Sequence, residues 1–145
     1  MQSALGLALL EKLPNWVWRR GENARVLAEH FSRIPSLRVT APPDDLVHSY
    51  YKYYVFVRPE RLKDGWDRDR VMTAVNAEGI PCSSGSCGEI YLEKAFAGSG
   101  PAERLPVARE LGRTALTFLV HPTLRKSDLR AMCRAVEKVM GVAAR

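Results

Sequence analysis

This 145-residue chain contains no apolar run approaching 18 residues, so no transmembrane helix is predicted. Residues 4–10 are apolar, but no basic segment precedes them and no small-residue cleavage site follows. A secretory signal peptide is therefore not expected. Cysteine is scarce: three residues, an odd number at low density, favour a reducing compartment and a cytoplasmic location. Internal repeats and low-complexity stretches are also missing, which excludes a solenoid. What is present is ordinary globular composition, 46% hydrophobic and 26% charged, at a length that suits one domain.

Acidic residues are in the minority, 16 against 22 basic, leaving a net charge of +6. Only six of the basic residues are lysine (Lys12, Lys52, Lys63, Lys94, Lys126 and Lys138). The rest are arginine, the residue suited to bidentate carboxylate and phosphate contacts. These arginines are spread along every segment, usually beside Asp or Glu, as in Asp67-Arg68-Asp69-Arg70. Nucleic-acid binding calls for clustered charge with interleaved aromatics, and is not expected here.

The first 33 residues read as helix, interrupted by Pro14, which either kinks the helix or begins a second one. Beyond it Trp16, Val17, Arg20, Ala24, Leu27, Ala28 and Phe31 form one stripe, and Pro35 closes the element. Ala4 to Leu13, by contrast, is apolar all round. A helix of that kind must be covered on all sides. It is either a central core helix or one whose partner lies on another chain or on a missing domain.

Leu37–Thr40 is a short strand candidate, and residues 41–45 form a loop. Tyr50–Val57, aromatic and β-branched, is the strongest strand signal and should be central in a sheet. Asp67 reads as the N-cap of a helix carrying Val71, Met72 and Val75 and ending at Gly79. Ile80–Ser83 is extended, and residues 84–100 form an ordered loop with one helical turn. Residues 102–113 read as a helix and Ala115–Val120 as a strand. Ser127 caps a last helix with Leu129, Met132, Val136, Val139 and Met140 on one stripe. Together they predict an α+β domain with a small, mainly antiparallel sheet, covered on one face by helices and preceded by the long N-terminal helix.

Chemistry-bearing signals are few. Cys82 and Cys87 lack the second pair of ligands that a zinc site needs, so no metal site is expected. Cys133 falls on an apolar stripe and reads as a small core residue. Ser83-Ser84-Gly85-Ser86-Cys87-Gly88-Glu89 has glycine and serine content suited to touching a ligand, but no phosphate-loop spacing. It is a connecting turn or a ligand-facing loop. Lys52, inside an otherwise apolar strand, is either snorkelling at a sheet edge or directed into a cleft.

Several segments together resemble one family. Residues 1–14 followed by Arg19-Arg20-x-x-Asn23-Ala24 resemble the helix after the catalytic core in sugar aminotransferases of the DegT/StrS group, fold type I enzymes dependent on pyridoxal phosphate. Residues 49–57 are similar to their small-domain central strand, and Asp67–Gly79 with Ile80-Pro81 to their helix ending in Gly-Ile. Residues 105–111 and 115–122 are similar to their late helix and the strand ending in proline. The resemblance implies a linking helix at residues 1–34 and a small C-terminal domain at 35–145.

It implies further that residues 4–13 meet a large domain, and that this large domain supplies the Schiff-base lysine, the aspartate at the pyridinium nitrogen and most phosphate contacts. None of these has a match here, and no lysine of this chain sits in the Schiff-base motif. Lys52 falls where many members carry a histidine near the substrate, and Ser83–Cys87 replaces the commoner His-Tyr-x-Pro. Lys52, Ser84, Ser86, Glu89 and Tyr91 are accordingly expected to border substrate, with no catalytic, cofactor or metal-binding residue in the chain. The intact family enzyme would use pyridoxal phosphate to move an amino group from an amino acid to a nucleotide-linked keto sugar. The expected partner is the missing large domain or a second copy. The rival reading is a freestanding α+β interaction module that self-associates through its first helix.

Overall fold

The computed structural model describes residues 2–145. Its elements run α1 (Gln2–Leu10), α2 (Leu13–Phe31), β1 (Leu37–Val39), β2 (Tyr53–Val57), α3 (Arg68–Ala77), β3 (Cys82–Ser83), α4 (Pro106–Thr114), β4 (Ala115–Phe118) and α5 (Lys126–Ala143). The four strands form one antiparallel sheet in the order β1-β2-β4-β3. The α+β expectation holds, and β2 is central as its sequence suggested.

Packing follows the period-two alternation of the strands. Leu37, Tyr53, Val55, Val57, Leu116 and Phe118 are buried on one face, where they meet Leu27 and Phe31 of α2, Val71 and Val75 of α3, and the apolar stripe of α5. Phe31 stacks at a tilt on Phe118, with ring centroids 5.2 Å apart. The opposite face carries Tyr54, Phe56, Ala115 and Thr117. It is partly covered too, because the segment after β3 folds back over Tyr54 and Thr117.

Pro14 begins a second helix rather than kinking the first. The chain turns at Glu11–Lys12 and the proline sits in the opening turn of α2, where a missing N–H costs nothing. The core-helix reading of residues 4–13 is excluded. α1 has no buried residue, and Leu5, Leu7 and Leu10 are each more than half exposed.

Of the boundaries that differ from expectation, four have identifiable reasons. The strand predicted at Tyr50–Val57 starts only at Tyr53. Arg20 takes the carbonyls of Tyr50 and Tyr51, at 3.1 and 2.9 Å, and Tyr50 is left-handed at φ 46°. Lys52 therefore precedes the strand rather than lying in it. The strand from Ala115 stops at Phe118 instead of Val120, as the carbonyls of Val120 and His121 accept from the Asn23 amide. The helix predicted at 102–113 begins at Pro106, since a residue before proline is driven out of the helical region and Leu105 is extended. Ser127 does not cap α5. The helix starts at Lys126, and the Asp128 carboxylate reaches back to accept from the Arg125 N–H at 2.8 Å.

Candidate functional site

The segment from Ser84 to Leu105 joins β3 to α4 and carries four of the five predicted site residues. Its first part is pressed against the open face of the sheet. Gly85 has φ 88°, and a Cβ there would lie 2.7 Å from the Tyr54 ring, so only glycine fits. The next residue, Ser86, is exposed, and its N–H lies 3.4 Å from the Tyr54 hydroxyl. Ser84 is half-buried. At the root of the loop the Ser83 and Thr117 hydroxyls are 2.6 Å apart.

Gly88 sets the path of the chain beyond this point. A Cβ there would come 2.5 Å from the Gly112 Cα on α4, so loop and helix meet backbone to backbone. Two single helical turns follow, at Ile90–Leu92 and Lys94–Phe96, where one was expected. The loop is then closed by a polar clasp. Arg104 donates from Nε to Glu89 Oε1 at 2.9 Å and from a second nitrogen to Oε2. The Tyr91 hydroxyl donates to Glu89 Oε1 at 2.6 Å and accepts from the Leu105 N–H at 3.0 Å. The Glu89 side chain is 13% exposed. Hydrogen bonds from Arg104, then from Tyr91, hold its pKa down to about 2.

Lys52 stands at the foot of β2, half-buried. It lines two small adjoining cavities, one of about 230 Å³ with Thr40, His48 and Tyr54, the other of about 140 Å³ with Asn76, Ser83 and Thr117. Lys52 lies one residue before β2, the strand flanked by β1 and β4. Lys52 thus shares a cavity with the root of the serine loop, and Ser84 and Ser86 follow directly. Glu89 and Tyr91 are not brought to that cavity. They are occupied with Arg104 and Leu105.

Of the cysteines, Cys82 is buried beside Phe118 and burial pushes its thiol up to about 12. Cys133 lies in the core as expected, its thiol raised to about 11, again by burial. Cys87 is exposed and bonds the Glu93 carboxylate at 3.2 Å. No group of three potential metal ligands comes together among the described residues. No helix among them is long and apolar enough to cross a membrane.

Sequence reasoning missed a groove of about 450 Å³ along the first half of α2. It is lined by Leu13, Trp16, Val17 and Arg20 together with Ser49, Tyr51 and His121. Three of these lie on the helical stripe already read from the sequence. His121 arrives from the end of β4, a contact that no local pattern announces.

Residues 1–137 match the DegT/DnrJ/EryC1/StrS aminotransferase family. The chain belongs to that family. Within it, the chain is 28% identical over 97% of its length to a dTDP-4-dehydro-2,3,6-trideoxy-D-glucose 4-aminotransferase of Saccharopolyspora spinosa, covering 34% of that protein. It is 29% identical over 95% of its length to the dTDP-3-amino-3,4,6-trideoxy-alpha-D-glucose transaminase of Streptomyces venezuelae, covering 35% of it. Among solved structures, an aminotransferase from Psychrobacter cryohalolentis superposes with a TM-score of 0.90 at 38% identity. That match covers 97% of this chain and 38% of the other. The chain thus spans about a third of the length of the relatives it matches.

Proposed function

We propose that this chain is the C-terminal small domain of a pyridoxal-phosphate-dependent aminotransferase acting on nucleotide-linked keto sugars, and that it is inactive without a large domain. The observation that carries the proposal is α1. Its leucines are exposed on every side, and a contiguous apolar surface of that kind marks an interface. A groove at Leu13, Trp16 and Tyr51, which reaches His121 beyond β4, offers a second apolar surface on α2. Both named relatives act on dTDP-linked sugars, which supports the substrate class.

In this reading the large domain, rather than this chain, supplies the cradle for pyridoxal phosphate. Lys63 donates to the Val142 carbonyl and Lys138 to Glu78, and Lys12 and Lys126 are exposed. In the intact enzyme the cofactor would supply the electron sink for amino transfer. Lys52 would offer a point charge to a phosphate or carboxylate, beside hydroxyl and backbone donors of Ser84 and Ser86. Glu89 and Tyr91 would hold that loop in place instead of contacting substrate, a revision of their expected role. Three free cysteines, two of them buried, suit the reducing cytoplasm.

The test is assembly with a large domain produced separately, that of the Psychrobacter relative being suitable. Mixed with it, the chain should restore amino transfer to a dTDP-linked keto sugar. Lys52→Met and Ser86→Ala should each then lower kcat/KM tenfold or more, about 1.4 kcal/mol, without loss of stability. Alone, the chain should form no borohydride-fixed adduct with pyridoxal phosphate. A stoichiometric adduct on one lysine would overturn the inactive-domain reading. The same exposed leucines also suit a freestanding module that self-associates through α1. A stable homodimer that ignores the large domain would favour that reading.

A further inference from the structure

Between β1 and β2 the chain runs through residues 40–52 without a strand or helix. The hydrogen bonds that tie residues 41–52 to another element both come from one side chain. Arg20 of α2 donates from a single terminal nitrogen to the carbonyls of Tyr50 and Tyr51. Those carbonyls flank the most constrained point of the segment. Tyr50 is the one residue other than glycine with a positive φ among the described residues, and the left-handed region is unfavourable for a bulky side chain. It is held there from both sides. Arg20 takes its carbonyl, and its N–H donates to His48 Nδ1 at 3.0 Å. Its ring stands edge-on to His48, with centroids 4.4 Å apart, and lies at a tilt to Tyr53 at 6.4 Å.

The consequence falls on Lys52, two residues further on. Lys52 makes no ion pair among the described residues. An ammonium on a flexible four-carbon stem is then only as well placed as the backbone that carries it. That backbone delivers it between two adjoining cavities, with Thr40 and His48 on one side and Ser83 and Thr117 on the other. Arg20 is itself well anchored. It lies one turn beyond Trp16 in the wall of the groove, and three residues before the buried Asn23, whose amide fastens α2 to Val120 and His121. The guanidinium thus passes the position of the helix to the turn.

We propose that Arg20 is a positioning residue for Lys52. By holding two successive carbonyls it keeps Tyr50 left-handed and presents the lysine ammonium to an anionic group of the substrate beside the serine loop. The inference rests on the reading of Lys52 as a substrate contact.

The first test uses the 145-residue chain with its lysines ¹³C-methylated, which keeps their charge, and with the Lys52 signal assigned by its loss in Lys52→Met. Arg20→Met should shift or broaden that signal and leave those of Lys94 and Lys126 in place. Arg20→Lys, which keeps a donor, should restore part of it. In a Tyr50→Gly background the left-handed conformation costs nothing, and there Arg20→Met should move the Lys52 signal less than half as far. If Arg20→Met does not fold, Arg20→Gln, too short to reach both carbonyls, takes its place. An unmoved Lys52 signal, or equal movement of every lysine signal, would overturn the proposal. The second test is kinetic, on the chain assembled with the large domain. Arg20→Met should lower kcat/KM at least fivefold in the parent and less than twofold in a Lys52→Met background, since residues that act through one another are not additive. An equal loss in both backgrounds would refute a role through Lys52. If Lys52→Met itself leaves kcat/KM unchanged, the substrate reading fails, while the lysine signal still decides whether Arg20 places Lys52.

Discussion

α1 and α5 are both rich in apolar residues, yet their fates are opposite. Eight residues of α5 are buried, among them Leu129, Met132, Cys133 and Val136, whereas α1 buries none. The difference lies in angular distribution rather than in the amount of apolar surface. α5 gathers its apolar side chains on one stripe and turns Arg130, Arg134 and Lys138 to water, so packing along one side, against α2, α3 and the sheet, satisfies it. α1 has no polar face to turn outward. One layer of the domain cannot cover it, and its apolar surface stays exposed.

The comparison can be broken most sharply in α5. Met132→Ala should cost about 2–5 kcal/mol, the usual range for emptying a core position, measured by urea denaturation. A cost below about 1 kcal/mol would mean the stripe is less essential than its burial says. Asp128→Ala, which removes the carboxylate that caps the same helix, should cost about 1 kcal/mol. Leu5→Glu with Leu9→Glu in α1 should change stability by no more than about 0.5 kcal/mol, while abolishing association through that helix in sedimentation. Global unfolding of the double variant would show that α1 belongs to the core after all.

The smallest effect concerns the loop between β3 and α4, where a polar clasp does what apolar packing does in α5. Glu89 has a pKa lowered from its ordinary 4.5 to about 2. Its contribution is therefore complete above about pH 4.5 and is lost as pH falls toward 2. Proteolysis within residues 84–105 should accelerate over that window, before the rest of the domain unfolds. Arg104→Gln should move the onset upward in pH, and an unmoved onset would assign the acid sensitivity to another group.

The sequence announced α2, α3 and α5 because each carries an amphipathic stripe and two of them carry recognisable starts. β2 was equally legible from its aromatic and β-branched run. Its expected start at Tyr50 was not, because a distant guanidinium, that of Arg20, claims the carbonyls of Tyr50 and Tyr51. The site was half legible. Glycine and serine content pointed to the loop, but nothing local shows that Glu89 and Tyr91 would be consumed by Arg104 and Leu105.

Asn23 carries a consequence for the order of folding. Its amide is buried, and its partners are the carbonyls of Val120 and His121, the first 97 positions away. A buried amide without a partner is costly, so α2 has no settled place until the segment after β4 is beside it. The central pairing of β2 with β4 waits for the same residues. Folding of this chain therefore depends on contacts that span most of its length, and α2 is committed to its place only together with β4.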